Sequence, residues 1–178
     1  EPMSRLVWLL DRGAALVAYP SLYLAVLTGV LYNTEAFGAL HGAARRVHVE
    51  LSAFATVVTL LHAALGVLDA WSVATGAAPA PAYSTSYFLG GVVVGVGSLS
   101  LLVVAVLGFA DAGRFEQPWG PRVVHAFAYG GFVFGTVHAA AVGTDVVGLV
   151  RPVLAPTVAF LAYVLLLRVL VLRGWASD

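Results

Sequence analysis

The chain contains no cysteine and no lysine, and charged residues make up only 10% of its 178 positions. The missing cysteine removes disulfides, thiolate metal sites, iron–sulfur clusters and the covalent attachment of c-type haem. All nine basic residues are arginine. They balance nine acidic residues to a formal net charge of zero, so no basic surface points to nucleic acid. A soluble domain carries about 25% charged residues. With charge this scarce and 61% of residues hydrophobic, the chain could not hide its apolar surface in a water-soluble core and belongs in lipid.

The apolar residues fall into five runs, roughly 13–33, 46–70, 87–109, 121–143 and 150–172. Each has about the ~20 residues needed to cross ~30 Å of hydrocarbon at 1.5 Å per residue. Strands in lipid require a closed barrel with alternating side chains, and these runs do not alternate, so the expected fold is all-α: one integral membrane bundle of five transmembrane helices. Pro20 should kink the first. The opening Glu1-Pro2-Met3-Ser4 reads as a cloning remnant ahead of a native Met3. The first run is too long for a signal peptide's core and reads as a retained span. The linker holding Pro79 and Pro81 reads as an exposed loop.

Five spans place the two ends on opposite sides. The N-terminus, second linker and fourth linker hold Arg5, Arg12 and Arg151, whereas the first linker, third linker and C-terminus hold Arg45, Arg46, Arg114, Arg122, Arg168 and Arg173. The excess of arginine on the second set predicts a cell-membrane protein with its N-terminus outside and its C-terminus in the cytoplasm.

Four histidines stand inside these spans, His48 and His62 in the second and His125 and His138 in the fourth. Both spans then run from inside to outside, so His48 and His125 share an inner depth and His62 and His138 an outer one. A titratable side chain in lipid is costly and marks function by default. A single neutral imidazole bonded to a serine or carbonyl is an ordinary structural feature, but four paired by depth on two parallel helices call for another reason. A b-type haem needs two axial imidazoles on opposite faces of a flat macrocycle, which two flanking helices supply. His48 and His62 are 14 residues apart, about 21 Å along the axis and within ~40° of one face. His125 and His138, 13 apart, are ~140° out of phase on an ideal helix, and tilt, supercoiling or a distortion near Tyr129-Gly130-Gly131 must make up the difference. Zinc fits less well, because its ligands must converge within about 2.1 Å of one ion.

Other residues carry weaker signals. Arg45, Arg46 and Arg122 precede the inner histidines and suit either haem propionates or positive-inside anchoring. Glu50 reads as a partner of Arg46 in an interfacial ion pair, and His41 as a solvent-exposed linker residue. Trp71, Tyr83, Ser84 and Ser86 either border the outer haem or lie at the interface for their own reasons. Gly91-x-x-x-Gly95 and Gly131-x-x-x-Gly135 let backbones or a macrocycle approach closely, with plain helix packing the simpler role.

The stretch Arg122-Val123-Val124-His125, followed by Tyr129, His138 and Gly143-Thr144-Asp145, resembles the ferric reductase-like transmembrane domain family. That family includes the NADPH oxidases, STEAP metalloreductases and the haem subunit of bacterial methionine sulfoxide reductase systems. Its other ligand helix carries two histidines separated by 13 residues, matched by His48 and His62, and its oxidases share the unequal spacing of the two pairs. The resemblance covers roughly 12–172 and departs in two ways: the family core usually has six spans, and its oxidases continue into a flavin- and nicotinamide-binding domain that has no counterpart here.

The expected function is therefore a di-haem b cytochrome passing electrons across the bilayer, a ferric reductase-like oxidoreductase component. His48 and His125 would bind the inner iron and His62 and His138 the outer. Electrons would come from a separate flavoprotein, a quinol or another redox subunit. A quinol- or ascorbate-oxidising cytochrome b is the alternative within redox chemistry. A haem transporter, or a non-redox scaffold with structural histidines, is the alternative outside it.

Overall fold

The computed structural model describes residues 2–32, 41–79, 85–110, 120–143 and 151–172. These form five helices: α1 (Pro2–Tyr32), α2 (His41–Ala74), α3 (Thr85–Ala110), α4 (Gly120–Val142) and α5 (Arg151–Leu172). No strand occurs among the described residues. Four helices carry stretches long and apolar enough to cross a membrane: Arg5–Tyr32, Gly42–Ala74, Leu89–Phe109 and Arg122–Val142. The described part of α5 contributes a shorter apolar stretch, Leu154–Leu167.

The helices outrun the apolar runs most at the starts of α1 and α2. Residues 2–12 join α1, with Pro2 at the first helical position, where its missing N–H costs nothing. Residues 41–45 join α2, so the backbone of His41 is helical rather than part of a linker. Hydropathy marks where lipid begins, whereas a helix continues through Arg, Leu, Ala and Trp until something stops it. What stops α2 is Gly76, in the left-handed region at φ 75°. The amides of Gly76 and Ala77 return to the carbonyls of Val73 and Ser72, satisfying groups that the helix end leaves open. The helix α1 runs through Pro20, and α5 through Pro156, without interruption.

Small side chains decide which helices touch. On α1, Ala14, Ala18, Ser21 and Ala25 are buried along one stripe, and Ala55 of α2 is wholly buried. This brings α1 and α2 together as one antiparallel hairpin. Ser98 and Ala105 of α3 and Val124 of α4 are likewise buried, and Ser98 Oγ donates to the Gly131 carbonyl at 2.7 Å. A second antiparallel hairpin, α3–α4, results. The two hairpins meet at far fewer points than the helices within each one. An aromatic bridge is one such point: Tyr19 of α1 stacks on buried Phe132 of α4 with ring centroids 5.8 Å apart, and its hydroxyl lies 3.3 Å from Thr136 Oγ1. The Tyr23 hydroxyl donates to the Thr157 carbonyl of α5 at 3.1 Å. Large apolar side chains such as Val57 (65% exposed) and Val93 (69%) point outward, as lipid-facing residues do.

Candidate functional site

Each hairpin aims histidines into the space between the two. On α2, the His48 ring lies over Gly29 of α1, and its Nδ1 is 2.7 Å from the Ala25 carbonyl. A carbonyl only accepts, so Nδ1 carries the proton and Nε2 is left with its lone pair. Fourteen residues further along α2, His62 Nδ1 lies 2.8 Å from Asp11 Oδ1 of α1, and a carboxylate acceptor again leaves Nε2 as the nitrogen on offer. On α4, His138 Nδ1 donates to the Gly91 carbonyl of α3 at 2.7 Å, and its ring lies against Gly95. Three histidines on two helices thus share one arrangement: Nδ1 is tied to the neighbouring helix of the same hairpin. Metal-binding imidazoles are oriented in this way, because a bonded Nδ1–H fixes both tautomer and ring direction. His125 is held by a different contact, edge-on to Phe109 of α3 at 4.7 Å between centroids and 88° between planes.

The rings pair across the gap between hairpins as well. His62 and His138 stand 6.1 Å apart, centroid to centroid, with planes at 56°. Two imidazoles sharing one metal at bonds of about 2 Å would hold their centroids roughly 6 Å apart. His48 and His125 line one cleft together with Ser52, Tyr129, Phe132 and Ala105. The cleft is open on one side and encloses about 110 Å³. The pairing places α2 and α4 parallel: the earlier histidines of both meet at one level and the later ones at the other. Among the described residues no three His, Asp or Glu side chains converge as a compact zinc site needs.

Close approach depends on two glycines. A Cβ at Gly29 would lie 2.8 Å from His48 Cε1, and one at Gly95 would lie 2.9 Å from His138 Cε1 and Nδ1. The Gly91-x-x-x-Gly95 pattern therefore serves a histidine, through the Gly91 carbonyl and the open face of Gly95. Gly131 and Gly135 serve helix packing, against Leu102 and Ser98.

The remaining expectations divide. Arg45, Arg46 and Arg122 are exposed at the starts of α2 and α4, two or three residues ahead of His48 and His125. Glu50 is exposed, and no ion pair joins it to Arg46 among the described residues. Both long side chains are free to seek water instead. Trp71 is 69% exposed and does not touch the histidines. Tyr83, Ser84, Thr144 and Asp145 lie outside the described residues, as do the side chains of His41 and Ser86. Asp11 is the residue that the linear reading passed over. Counting from the apolar run places it ahead of the first span, but α1 begins earlier, and a carboxylate within a helix long and apolar enough to cross a membrane is itself a functional signal.

Residues 6–145 match the model of a family described as Domain of unknown function (DUF8596). No curated protein and no solved structure matches the chain.

Proposed function

The chain belongs to this domain family, DUF8596, and from that premise we propose that it is a di-haem b-type membrane cytochrome that moves electrons across the bilayer. The observation that carries the reading is the convergence of histidines from α2 and α4 at two levels, with Nδ1 of His48, His62 and His138 each tied to the hairpin partner. The 6.1 Å separation of the His62 and His138 rings suits two imidazoles on one iron, and His48 and His125 line a common cleft. Haem b, when bound, supplies a one-electron iron couple at each level.

The chain's own residues divide the remaining work. His48 and His125 bind at the inner level, His62 and His138 at the outer, about 21 Å apart along α2. Arg45, Arg46 and Arg122 offer guanidinium groups to the acidic edge of the inner haem and anchor the helices at the cytoplasmic face. Tyr19, Tyr23 and Phe132 fill the interval between levels and exclude water there. If the four histidines hold the two irons, they would leave no ligand position for a substrate, and the haems would supply outer-sphere electron transfer. In this reading α5 completes a five-span bundle in the cell membrane, N-terminus outside, and a separate flavoprotein, quinol or redox subunit donates electrons. The stretch from Arg122 to His138 also resembles the ferric reductase-like domain, which is in keeping with this reading.

Haem content tests the proposal. Purified protein should hold about two haems per chain and show a reversible dithionite-induced α band. His48→Ala or His125→Ala should each remove one haem, and His62→Ala or His138→Ala the other. A preparation that folds and carries no haem ends the cytochrome reading and leaves a scaffold with structural histidines. One haem that survives His138→Ala but not His62→Ala breaks the pairing.

A further inference from the structure

Both histidines of α2 that enter the two levels are held by the same neighbour. His48 Nδ1 donates to the Ala25 carbonyl at 2.7 Å and His62 Nδ1 to Asp11 Oδ1 at 2.8 Å, so α1, which supplies no histidine, meets both. The intervals match. Asp11 and Ala25 are 14 residues apart on α1, as His48 and His62 are on α2. In an antiparallel pair, the register that makes one bond therefore makes the other. Midway between the two bonds, seven residues from each, stand buried Ala18 on α1 and wholly buried Ala55 on α2.

Fourteen residues are two heptads. On a straight helix they leave a drift of ~40°. Two helices that wrap round each other at 3.5 residues per turn bring positions two heptads apart back to the same side of the partner. Alanine at the midpoint lets the backbones approach closely. That approach brings a carbonyl at one level, and a short carboxylate side chain at the other, within reach of an imidazole on the facing helix. A ring whose Nδ1–H is bonded presents Nε2 in one tautomer and one direction. A carboxylate in an apolar helix is costly without a hydrogen-bond donor, and His62 is that donor for Asp11.

Building on the di-haem reading, we propose that α1 is the positioning element for both haem levels: it aims His48 and His62 together, through the Ala25 carbonyl and the Asp11 carboxylate, across a separation set by Ala18 and Ala55. Asp11 is a positioning residue for the outer level, acting through His62. The two cofactor sites are thus joined by a seam that touches neither iron, and one substitution at its midpoint disturbs both.

The test has one arm without haem and one with it. In the full chain made under haem depletion, imidazole nitrogen NMR should show His48 and His62 as Nδ1–H tautomers, and Asp11→Ala should release His62 alone into a mixture of the two. In the two-haem protein the outer haem is identified as the one lost in His138→Ala. Asp11→Ala should weaken retention of that haem by about 10–100-fold, shift its low-spin electron paramagnetic resonance signal and leave the inner haem in place. Asp11→Asn keeps an oxygen acceptor and should retain it. Ala55→Leu should push α1 from α2 and shift or shed both haems, whereas Val57→Leu, at an outward-facing position, should shift neither. Mixed tautomers at either histidine in wild type, full retention of the outer haem in Asp11→Ala, or an Ala55→Leu protein that disturbs one haem or none overturns the role of α1. Should Ala55→Leu fail to fold, the smaller Ala55→Val decides by the same criterion. Absence of haem from the wild type removes the di-haem reading itself, and the tautomers of the haem-free chain then decide whether α1 aims the two rings.

Discussion

Two glycines facing histidine rings make the sharpest single-residue demands on this chain. At Gly29 an added methyl would sit 2.8 Å from His48 Cε1, closer than carbon atoms tolerate, so the ring must move and the 2.7 Å bond to Ala25 must distort. Gly29→Ala should therefore deplete the inner haem, and Gly95→Ala the outer, each read as haem per chain. Gly13 and Gly90 have open space around them, and alanine there should leave haem content alone while stabilising the helix by up to ~1 kcal/mol. Loss of haem in Gly13→Ala as large as in Gly29→Ala would sink the steric argument. Tyr19→Phe separates structure from ligation at the same scale. It keeps the stack on Phe132 and loses only the contact with Thr136, at a cost of about 0.6 kcal/mol in bilayer stability and no haem. The histidines themselves were legible in the sequence because ionisable groups stand out in apolar runs. Their Nδ1 partners were not: two are backbone carbonyls, present at every residue, and the third, Asp11, is separated from His62 by 51 positions.

The elements divide into two hairpins, each zipped by small residues and hydrogen bonds rather than by large side chains. Ser98 is the clearest case in α3–α4, buried, bonded to the Gly131 carbonyl and only 3.1 Å from where a Cβ on Gly135 would lie. Ser98→Ala should cost about 0.6 kcal/mol, because the bond is lost without leaving a new void of any size. Ser98→Leu should cost roughly 1–3 kcal/mol, because the extra carbons have to push α3 from α4. Unfolding in a bilayer or mixed micelle distinguishes the two, and equal losses would mean that Ser98 does not sit in a tight contact. The five helices were readable from hydropathy alone, since lipid demands internally bonded backbone over a fixed length. Helix ends were less readable, because Trp8, Asp11 and Arg12 interrupt the apolar run without ending α1, with Arg12 lying 4.2 Å over the Trp8 ring. The 13-residue spacing of His125 and His138 looked awkward on a single helix axis. Both rings meet α3: His125 lies beside Phe109, and His138 beside Gly91 and Gly95.

At the scale of the whole molecule, contact between the hairpins is sparse although each is well zipped, so the proposed haems would be the main joint between them. Protein made under haem depletion should keep its helix content, melt at lower temperature and exchange backbone hydrogens faster than the loaded form, since a ligand that binds only the folded state stabilises it by mass action. Equal melting temperatures would mean that the hairpins dock without help. The direction in which the assembled bundle faces the membrane rests on different physics, the six arginines against three on alternate connections. The absence of cysteine makes that direction directly measurable, because any thiol introduced is the only one present. Ala77 lies exposed just after Gly76 ends α2, and Ala43 lies exposed in the first turn of the same helix, so the two mark its opposite ends. In intact cells Ala77→Cys should react with a membrane-impermeant maleimide and Ala43→Cys should not. After lysis both should react. The reverse pattern would turn the molecule over, putting the Asp11–His62 level in the cytoplasm and Arg45, Arg46 and Arg122 outside. Labelling of both in intact cells would mean that α2, despite its length, does not span the bilayer.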